Sequence, residues 1–262
     1  MLTLTTLASG SSGNCLLLSD GRTHILVDAG ISARRITTHL KTLGIAPPEL
    51  AGILVTHEHS DHISGLATLT KQLPVPIYAT AATGRQIRCR VAWAEEHLHT
   101  ITPGTAFSVD SLDVQAFSTP PDAADSVGYT ITAGDRTAAV VTDLGHVTRE
   151  VLSAVSGAQL VVLECNYEPD WLLSGPYPYY LKERILGRRG HLSNEEGAQL
   201  ARVLTEQGAR QLVLAHLSKE NNTPTRALDT VCHTLEVGGI RPQSDVAVTV
   251  APRDCPGQPL LV

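Results

Sequence analysis

Six consecutive residues, His57-Glu58-His59-Ser60-Asp61-His62, follow directly on the apolar stretch GILVT at 52–56 and carry three imidazoles and two carboxylates. GILVT reads as a buried strand, and strand alternation puts His57 and His59 on one side as the chain leaves it, with Glu58 facing away. Asp61 and His62 fall in the turn beyond. A solvated polar loop would account for one such histidine, but this H-x-H-x-D-H spacing suits two adjacent metal ions. One turn of chain cannot close two coordination spheres. The fold must therefore bring other strand ends to this turn, and that requirement constrains the architecture more than any other feature.

Two residues meet it: Asp143 in VVTDLG and His216 in LVLAHLS each end an apolar run. Either alone is a weak signal, because polar residues often end strands. Asp28 in ILVDAG shares the position, and both metal contact and bonding of loop amides beneath the site fit it. His97 and His99 repeat the H-x-H spacing without a following acid, and are expected to end a helix rather than bind metal.

Strands are expected at LTLTTLA, NCLLLSD, THILVDAG, GILVT and PIYAT, with Asp20-Gly21 as a hairpin turn. Helices are expected at 32–43, 63–73 and 83–97. From residue 100 strands follow in succession (TAFSVD, LDVQAFST, SVGYTITAG, RTAAVVTD), as a second sheet would require. Helices near 148–156, from Ser193 and after Pro224 then alternate with AQLVVLECN, RQLVLAHLS and VAVTVAP, and a Pro/Tyr-rich loop precedes Ser193. Two strand-rich halves with helices predict an α/β (α+β) chain of two sheets packed face to face with helices outside. No low-complexity linker divides it, so residues 1–262 are read as a single domain.

The chain has 20 Lys plus Arg against 26 Asp plus Glu, a net charge of −6, which excludes a globally basic polyanion binder. Any nucleic-acid surface must be local. The densest basic stretch is LKERILGRRGH, with Lys182, Arg184, Arg188 and Arg189; a solvated helix face and an anion site both fit it. It adjoins His191 and the capping box Ser193-Asn194-Glu195-Glu196, whose helix N-terminus attracts anions, so His191, Ser193 and Asn194 are candidate substrate-binding residues. Ser11 and Ser12 in SGSSGN are further candidates, through turn amides offered to a phosphate oxygen. Tyr177, Tyr179 and Tyr180 would stack on bases or pack the loop. No apolar run is long enough to span a bilayer, and the five cysteines form no C-x-x-C pair. A cytoplasmic location with reduced thiols and no membrane contact is expected; oligomeric state is left open.

VDAG, THEHSDH, TDLG and a late histidine after a strand together resemble the metallo-β-lactamase superfamily. Three further stretches resemble its YycJ (WalJ) branch: LASGSSGNC at 7–15, SGPYPYYLKERILGRRGHLSNEEG at 174–197 and LAHLSKENNTP at 214–224. The resemblance implies a four-layer αββα sandwich with a dinuclear site of Zn, Mn or Fe at one edge. It implies that His57 and His59 hold the first metal, that Asp61, His62 and His216 hold the second, and that Asp143 bridges them. The first metal of such proteins has a third histidine, from a stretch that here reads FSTPPDAADSVGY. Pro121 stands at the expected position and cannot ligate, so either Asp122 substitutes or the first site is weak or empty.

The implied activity is that of a metal-dependent hydrolase, a phosphodiesterase or nuclease acting on DNA as a 5′ to 3′ exonuclease through a metal-held hydroxide. Asp61 would orient the hydroxide, and His191 would bind phosphate or protonate the leaving group. An acyl or thioester hydrolase on the same fold is the alternative, as is a non-catalytic regulatory protein lacking a full ligand set.

Overall fold

The computed structural model describes residues 1–120 and 123–262. The first half runs β1 (Thr3–Ala8), β2 (Cys15–Ser19), β3 (His24–Val27), α1 (Ala33–Thr42), β4 (Leu50–Leu54), α2 (Ser60–Ile63), α3 (Leu66–Gln72), β5 (Ile77–Thr80), α4 (Ala81–Arg90) and β6 (Leu98–Ile101). The second runs β7 (Ala106–Val109), β8 (Leu112–Ser118), β9 (Val127–Ala133), β10 (Arg136–Val141), α5 (Arg149–Val155), β11 (Leu160–Glu164), α6 (Pro169–Ser174), α7 (Tyr179–Leu186), α8 (Asn194–Glu206), β12 (Gln211–Ala215), α9 (Pro224–Val237) and β13 (Ala247–Val250). A short β14 (Leu260–Leu261) returns to pair with β1 in the first sheet.

The two halves repeat one plan. Among the described residues each sheet has seven strands, in the orders β14-β1-β2-β3-β4-β5-β6 and β13-β12-β11-β10-β9-β8-β7. Each half begins as an antiparallel meander, through β3 in one and β10 in the other, and continues with parallel strands joined by helical crossovers. In such sheets the carboxyl ends of the parallel strands form the ligand-binding rim. That rim carries the ends of β3, β4, β10, β11 and β12.

Alternation along the strands separates three apolar layers. Leu16, Leu18, Ile25 and Val27 face Val114, Ala116, Val127 and Tyr129 of the other sheet, forming the central layer. Their neighbours Leu17 and Leu26 face outward under Ile36, Leu40, Leu66 and Ile87 of α1, α3 and α4. On the far side, Val161, Leu163, Leu212 and Leu214 pack under Val151, Leu200, Leu204 and Val231 of α5, α8 and α9. The result is the αββα sandwich, with α1, α3 and α4 outside one sheet and α5, α8 and α9 outside the other.

Several elements depart from the sequence expectation, among them the helix expected at 83–97, which runs Ala81–Arg90 and gives way to a 3-10 segment at Ala92–His97. His99 lies in β6, an exposed edge strand, where a helix end was expected; the ring stacks on Tyr78 at 5.2 Å and takes no part in the ligand-rich rim. The Pro/Tyr-rich segment before Ser193 contains two helices, α6 and α7, and α7 buries none of its residues. The expected helix at 63–73 is broken into α2 and α3: the Gly65 amide bonds the Ala29 carbonyl instead of Asp61, whose carbonyl accepts from Asn14, and the approach is so close that a Cβ on Gly65 would lie 2.0 Å from the Ile31 carbonyl.

A buried side-chain hydrogen bond helps tie the sheets together beneath the rim, beside the backbone bond from the Val127 amide to the Thr56 carbonyl at 3.0 Å. The fully buried Tyr129 hydroxyl, on β9, donates to the Val55 carbonyl just beyond β4 at 2.8 Å. Tyr129→Phe leaves that carbonyl buried and unpaired, a cost of about 1–3 kcal/mol. A chemical-denaturation midpoint lowered accordingly, with an unchanged m-value, is the expected result.

Candidate metal centre

The ligand-rich turn leaves β4 into α2, whose first residues are Ser60 and Asp61. Glu58 faces away, as alternation requires: its carboxylate accepts from the Ala124 amide at 2.9 Å, and its carbonyl accepts from Arg90 at 2.6 Å. His57 and His59 face the rim together, with Nε2 of His57 2.9 Å from Nδ1 of His59. The turn is held against the β3 exit by close backbone approach, since a Cβ on Gly30 would lie 1.7 Å from the Asp61 carbonyl oxygen.

Asp28, Asp143 and His216 all sit at strand ends with left-handed backbone, at φ 63°, 58° and 58°. Non-glycine residues rarely adopt this conformation, and such strain concentrates at functional sites. It turns the chain sharply as it leaves the sheet and brings the three side chains to the rim. Nε2 of His62 lies 3.5 Å from Asp61 and 3.3 Å from Asp143, and Nε2 of His216 lies 3.3 Å from Asp61 and 3.7 Å from Asp143. Nε2 of His57 is 3.9 Å from Asp143. The six residues expected to bind metal thus converge, with the Asp143 carboxylate among three imidazoles.

Asp28 lies beneath them. Its carboxylate accepts from the Thr56 amide at 2.8 Å and the Thr56 hydroxyl at 2.9 Å, and lies 2.7 Å from Nδ1 of His62. The Asp28 carboxylate thus bonds the loop beneath the cluster and lies against Nδ1 of the His62 ring, whose Nε2 faces Asp61 and Asp143.

Glu164, at the end of β11 between the β10 and β12 exits, was not singled out from the sequence. It is fully buried, and its Oε1 lies 2.8 Å from Nδ1 of both His191 and His216. Its Oε2 accepts from the amides of Leu144 and Leu192 at 2.7 and 3.3 Å. The signal that marked Asp143 and His216, a polar residue closing an apolar run, was equally present in LVVLE.

The other expectations divide. His191 and Ser11 line a cleft of about 240 Å³ together with His59, Asp61, Asp143, His216 and, from the α7 side, Tyr177 and Arg184. Ser12 is exposed and is not among those lining residues. Several amides of the Gly/Ser turn bond within the protein instead of offering themselves to a ligand: Gly10 N–H to the Asn14 side chain, Gly13 N–H to Gly10, and Asn14 N–H to Asp61. The turn supports the site from below. The Ser9 hydroxyl accepts from the His216 amide, and the Asn14 side-chain amide lies 3.2 Å from Nε2 of His62.

Ser193 and Asn194 are corrections. Both are buried and neither lines the cleft. The Ser193 hydroxyl caps α8 through the Glu196 amide, and Glu196 returns the bond to the Ser193 amide. The Asn194 side chain bonds Glu168 and, in both directions, Asn222. Asn222 in turn donates to the Asn166 carbonyl, and Asn166 donates to the His216 carbonyl at 2.7 Å. The helix N-terminus is occupied by protein, so it holds the His216 loop rather than an anion. Pro121 and Asp122 lie outside the described residues.

Charge is concentrated here, and each group answers to its neighbours. Burial, with His62 beside it, pushes His57 well below the usual histidine range, so its imidazole is neutral. Burial also opposes protonation of His216, but Asp143, Asp61 and Glu164 outweigh it and raise its pKa to about 10. Asp143 and Asp28 raise His62 against its own burial in the same way. Burial works against ionised Asp61, yet hydrogen bonds from His216 and His62 hold it well below the usual carboxylate range. Oδ2 of Asp143 is buried without a hydrogen bond of good geometry, 3.3 Å from His62. A buried carboxylate oxygen left so is suited to a cation, and the mixed imidazole and carboxylate donors fit a divalent metal.

Metal binding at these nitrogens must displace protons. Where pH lies below the raised pKa values of His62 and His216, each competes with the ion for Nε2, so affinity falls as pH falls. Titration calorimetry in two buffers of different ionisation enthalpy is expected to show proton release at pH 7, with weaker binding at pH 6 than at pH 8.

Residues 23–217 match the model of the beta-lactamase superfamily domain. The chain is 34% identical over 249 residues to exodeoxyribonuclease WalJ of Streptococcus pneumoniae, covering 93% of this chain and 90% of that protein. It is 35% identical over 243 residues to exodeoxyribonuclease YycJ of Bacillus anthracis, covering 89% of each. Its fold superposes on Zn(2+)-bound PqqB from Methylobacterium extorquens with a TM-score of 0.71 at 20% identity, over 99% of this chain and 100% of the other. A matched family model, relatives similar over nine-tenths of the chain and the shared sandwich agree: the chain belongs to the beta-lactamase superfamily, in its WalJ/YycJ branch.

Proposed function

We propose that the chain is a metal-dependent phosphodiesterase that degrades DNA from the 5′ end, with residues 1–262 working as one domain in the cytoplasm. The observation that carries this reading is the cleft: ligand residues form its floor, while Tyr177, Arg184 and His191 form a polar wall suited to a phosphodiester. The relatives named exodeoxyribonuclease support the substrate class. Among the described residues no helix is long and apolar enough to cross a membrane.

In this reading Asp61, His62 and His216 would hold one divalent ion and His57 and His59 a second, with the Asp143 carboxylate within reach of both sets. Zn, Mn or Fe suits these donors. Such ions supply Lewis-acid activation of water and charge neutralisation of the diester. Asp61 reaches the cleft as an ionised acceptor and orients the attacking water. Nδ1 of His191 is engaged by Glu164 at 2.8 Å, which leaves Nε2 as the ring nitrogen for the substrate. Glu164 raises the pKa of His191 against burial, which favours the protonated ring as the donor to the oxygen leaving phosphorus.

The two metal positions differ in this reading. Asp61, His62 and His216 group tightly, whereas His59 joins none of the tight ligand groups found among the described residues, and Pro121 offers no third imidazole. Elemental analysis is expected to find less than two equivalents of metal, and Pro121→His to raise the content.

On end-labelled DNA with Mn²⁺ or Zn²⁺, the wild type is expected to release nucleotides from the 5′ end, and Asp61→Ala to fall to background. His191→Ala is expected to lose about 10²- to 10⁴-fold in kcat with unchanged metal content. Failure of the metal-loaded wild type to cleave DNA, beside an active control nuclease, would rule the reading out; turnover of a thioester panel in its place would select the acyl hydrolase.

A further inference from the structure

Helix α7 stands between two hollows. Tyr177, just before it, with Leu181, Arg184 and Ile185, lines the cleft above the candidate metal ligands. Tyr179, Lys182, Glu183 and Leu186 face a second groove on the other side, shared with Leu173 of α6. The helix buries none of its residues, although it belongs to a chain whose other long helices each bury an apolar stripe. Tyr179 and Tyr180 are 75% and 73% exposed, and Trp171, Leu173 and Leu186 are 41%, 57% and 42% exposed. Large side chains this exposed and this clustered mark a surface that something covers.

The segment is nonetheless fixed in place. The Lys182 ammonium donates to the Leu173 carbonyl at 2.6 Å, tying α7 to α6. At the far end, His191 N–H bonds the Ile185 carbonyl, and a Cβ on Gly145 would lie 2.1 Å from the Arg188 carbonyl oxygen, so the GRRG turn is seated on the chain just beyond Asp143. The apolar groups are presented on a rigid support whose inner wall is the cleft itself.

Charge selects the occupant. Beside this outer groove Lys182, Arg188 and Arg189 stand against the single carboxylate of Glu183, with Arg184 on the cleft side, in a chain of net charge −6. A second copy of this chain docking here about a two-fold axis would bring the exposed Arg188 and Arg189 towards their own equivalents. Aromatic faces interleaved with cations are what an unpaired polynucleotide strand requires: bases stack on the rings, and the backbone follows the positive groups. An eight-residue helix is about 12 Å long, and stacked nucleotides rise about 3.4 Å, so the rings meet bases within the first few nucleotides from the cleft.

We infer that the exposed surface of α6–α7 outside the cleft is a stacking platform for single-stranded DNA: Tyr179, on the outer groove, and the exposed Tyr180 beside it bind bases of the strand whose end occupies the cleft, and Arg188 and Arg189 bind its phosphates. The inference rests on the nuclease reading above and adds that the substrate is engaged unpaired, beyond the scissile diester.

The test uses the full chain loaded with Mn²⁺ and a single-stranded oligothymidylate. Tyr179→Ala and Tyr180→Ala are each expected to raise KM about tenfold while changing kcat less than twofold. Hydrolysis of bis(4-nitrophenyl) phosphate, which fills only the cleft, is expected to stay at the wild-type rate. Arg188→Gln and Arg189→Gln are each expected to reduce the salt slope of binding by about one. An unchanged KM in both tyrosine variants overturns the platform, as does an equal loss on the small diester, which would mean a structural role. A wild-type dimer that the tyrosine variants dissociate in sedimentation also overturns it, by assigning the surface to a second copy. If the wild type hydrolyses the small diester but no DNA, the nuclease reading itself fails and the platform with it.

Discussion

One buried oxygen atom organises the rim. Oε1 of Glu164 lies within hydrogen-bond distance of two imidazoles from different parts of the chain, His191 before α8 and His216 after β12. A fully buried carboxylate is tolerated only when it is paired and hydrogen-bonded, and here two rings and two backbone amides do this. The same bonds set both rings with Nδ1 inward. One carboxylate therefore decides where His216 presents Nε2 to the ligand cluster and where His191 presents it to the cleft. Removing it would leave two imidazoles without a common anchor and two buried amides without acceptors.

Much of this was legible in the sequence, for a physical reason. HEHSDH places its ligands by local geometry alone, and the strand before it needs only alternation to aim His57 and His59. Asp143 and His216 were legible because buried parallel strands are continuous apolar runs, so a polar residue at their end is conspicuous. Glu164 carried the same mark and was missed, since nothing in the chain announces which two imidazoles will reach it. Ser193 and Asn194 were misread for the opposite reason. A capping box is a local pattern, but whether a helix end meets ligand or protein depends on what folds over it, and here residues 167, 168 and 222 do so.

Periodicity also has limits set by burial. The eight residues of α7 bury nothing, so no apolar stripe with a period near 3.6 exists to be read, and the prolines at 176 and 178 suggest a loop. β6 is an edge strand with two of its four residues exposed, and its sequence LHTI follows a helical turn without punctuation. What the pattern does capture is two strand-rich halves, each with helices; the plan they share emerges only in the fold. Each half starts as a meander and ends as parallel strands with crossovers, and this places both sets of strand ends on one rim.

The left-handed backbone at Asp28, Asp143 and His216 sets folding and chemistry at odds. Glycine would adopt that conformation at no steric cost, so as far as the main chain is concerned these residues are poor choices at all three positions. Only their side chains justify them. A search for stabilising substitutions guided by backbone preference alone would select these positions along with Asp110 and Gln243, and in relaxing the chain would dismantle the cluster for which the strain is kept.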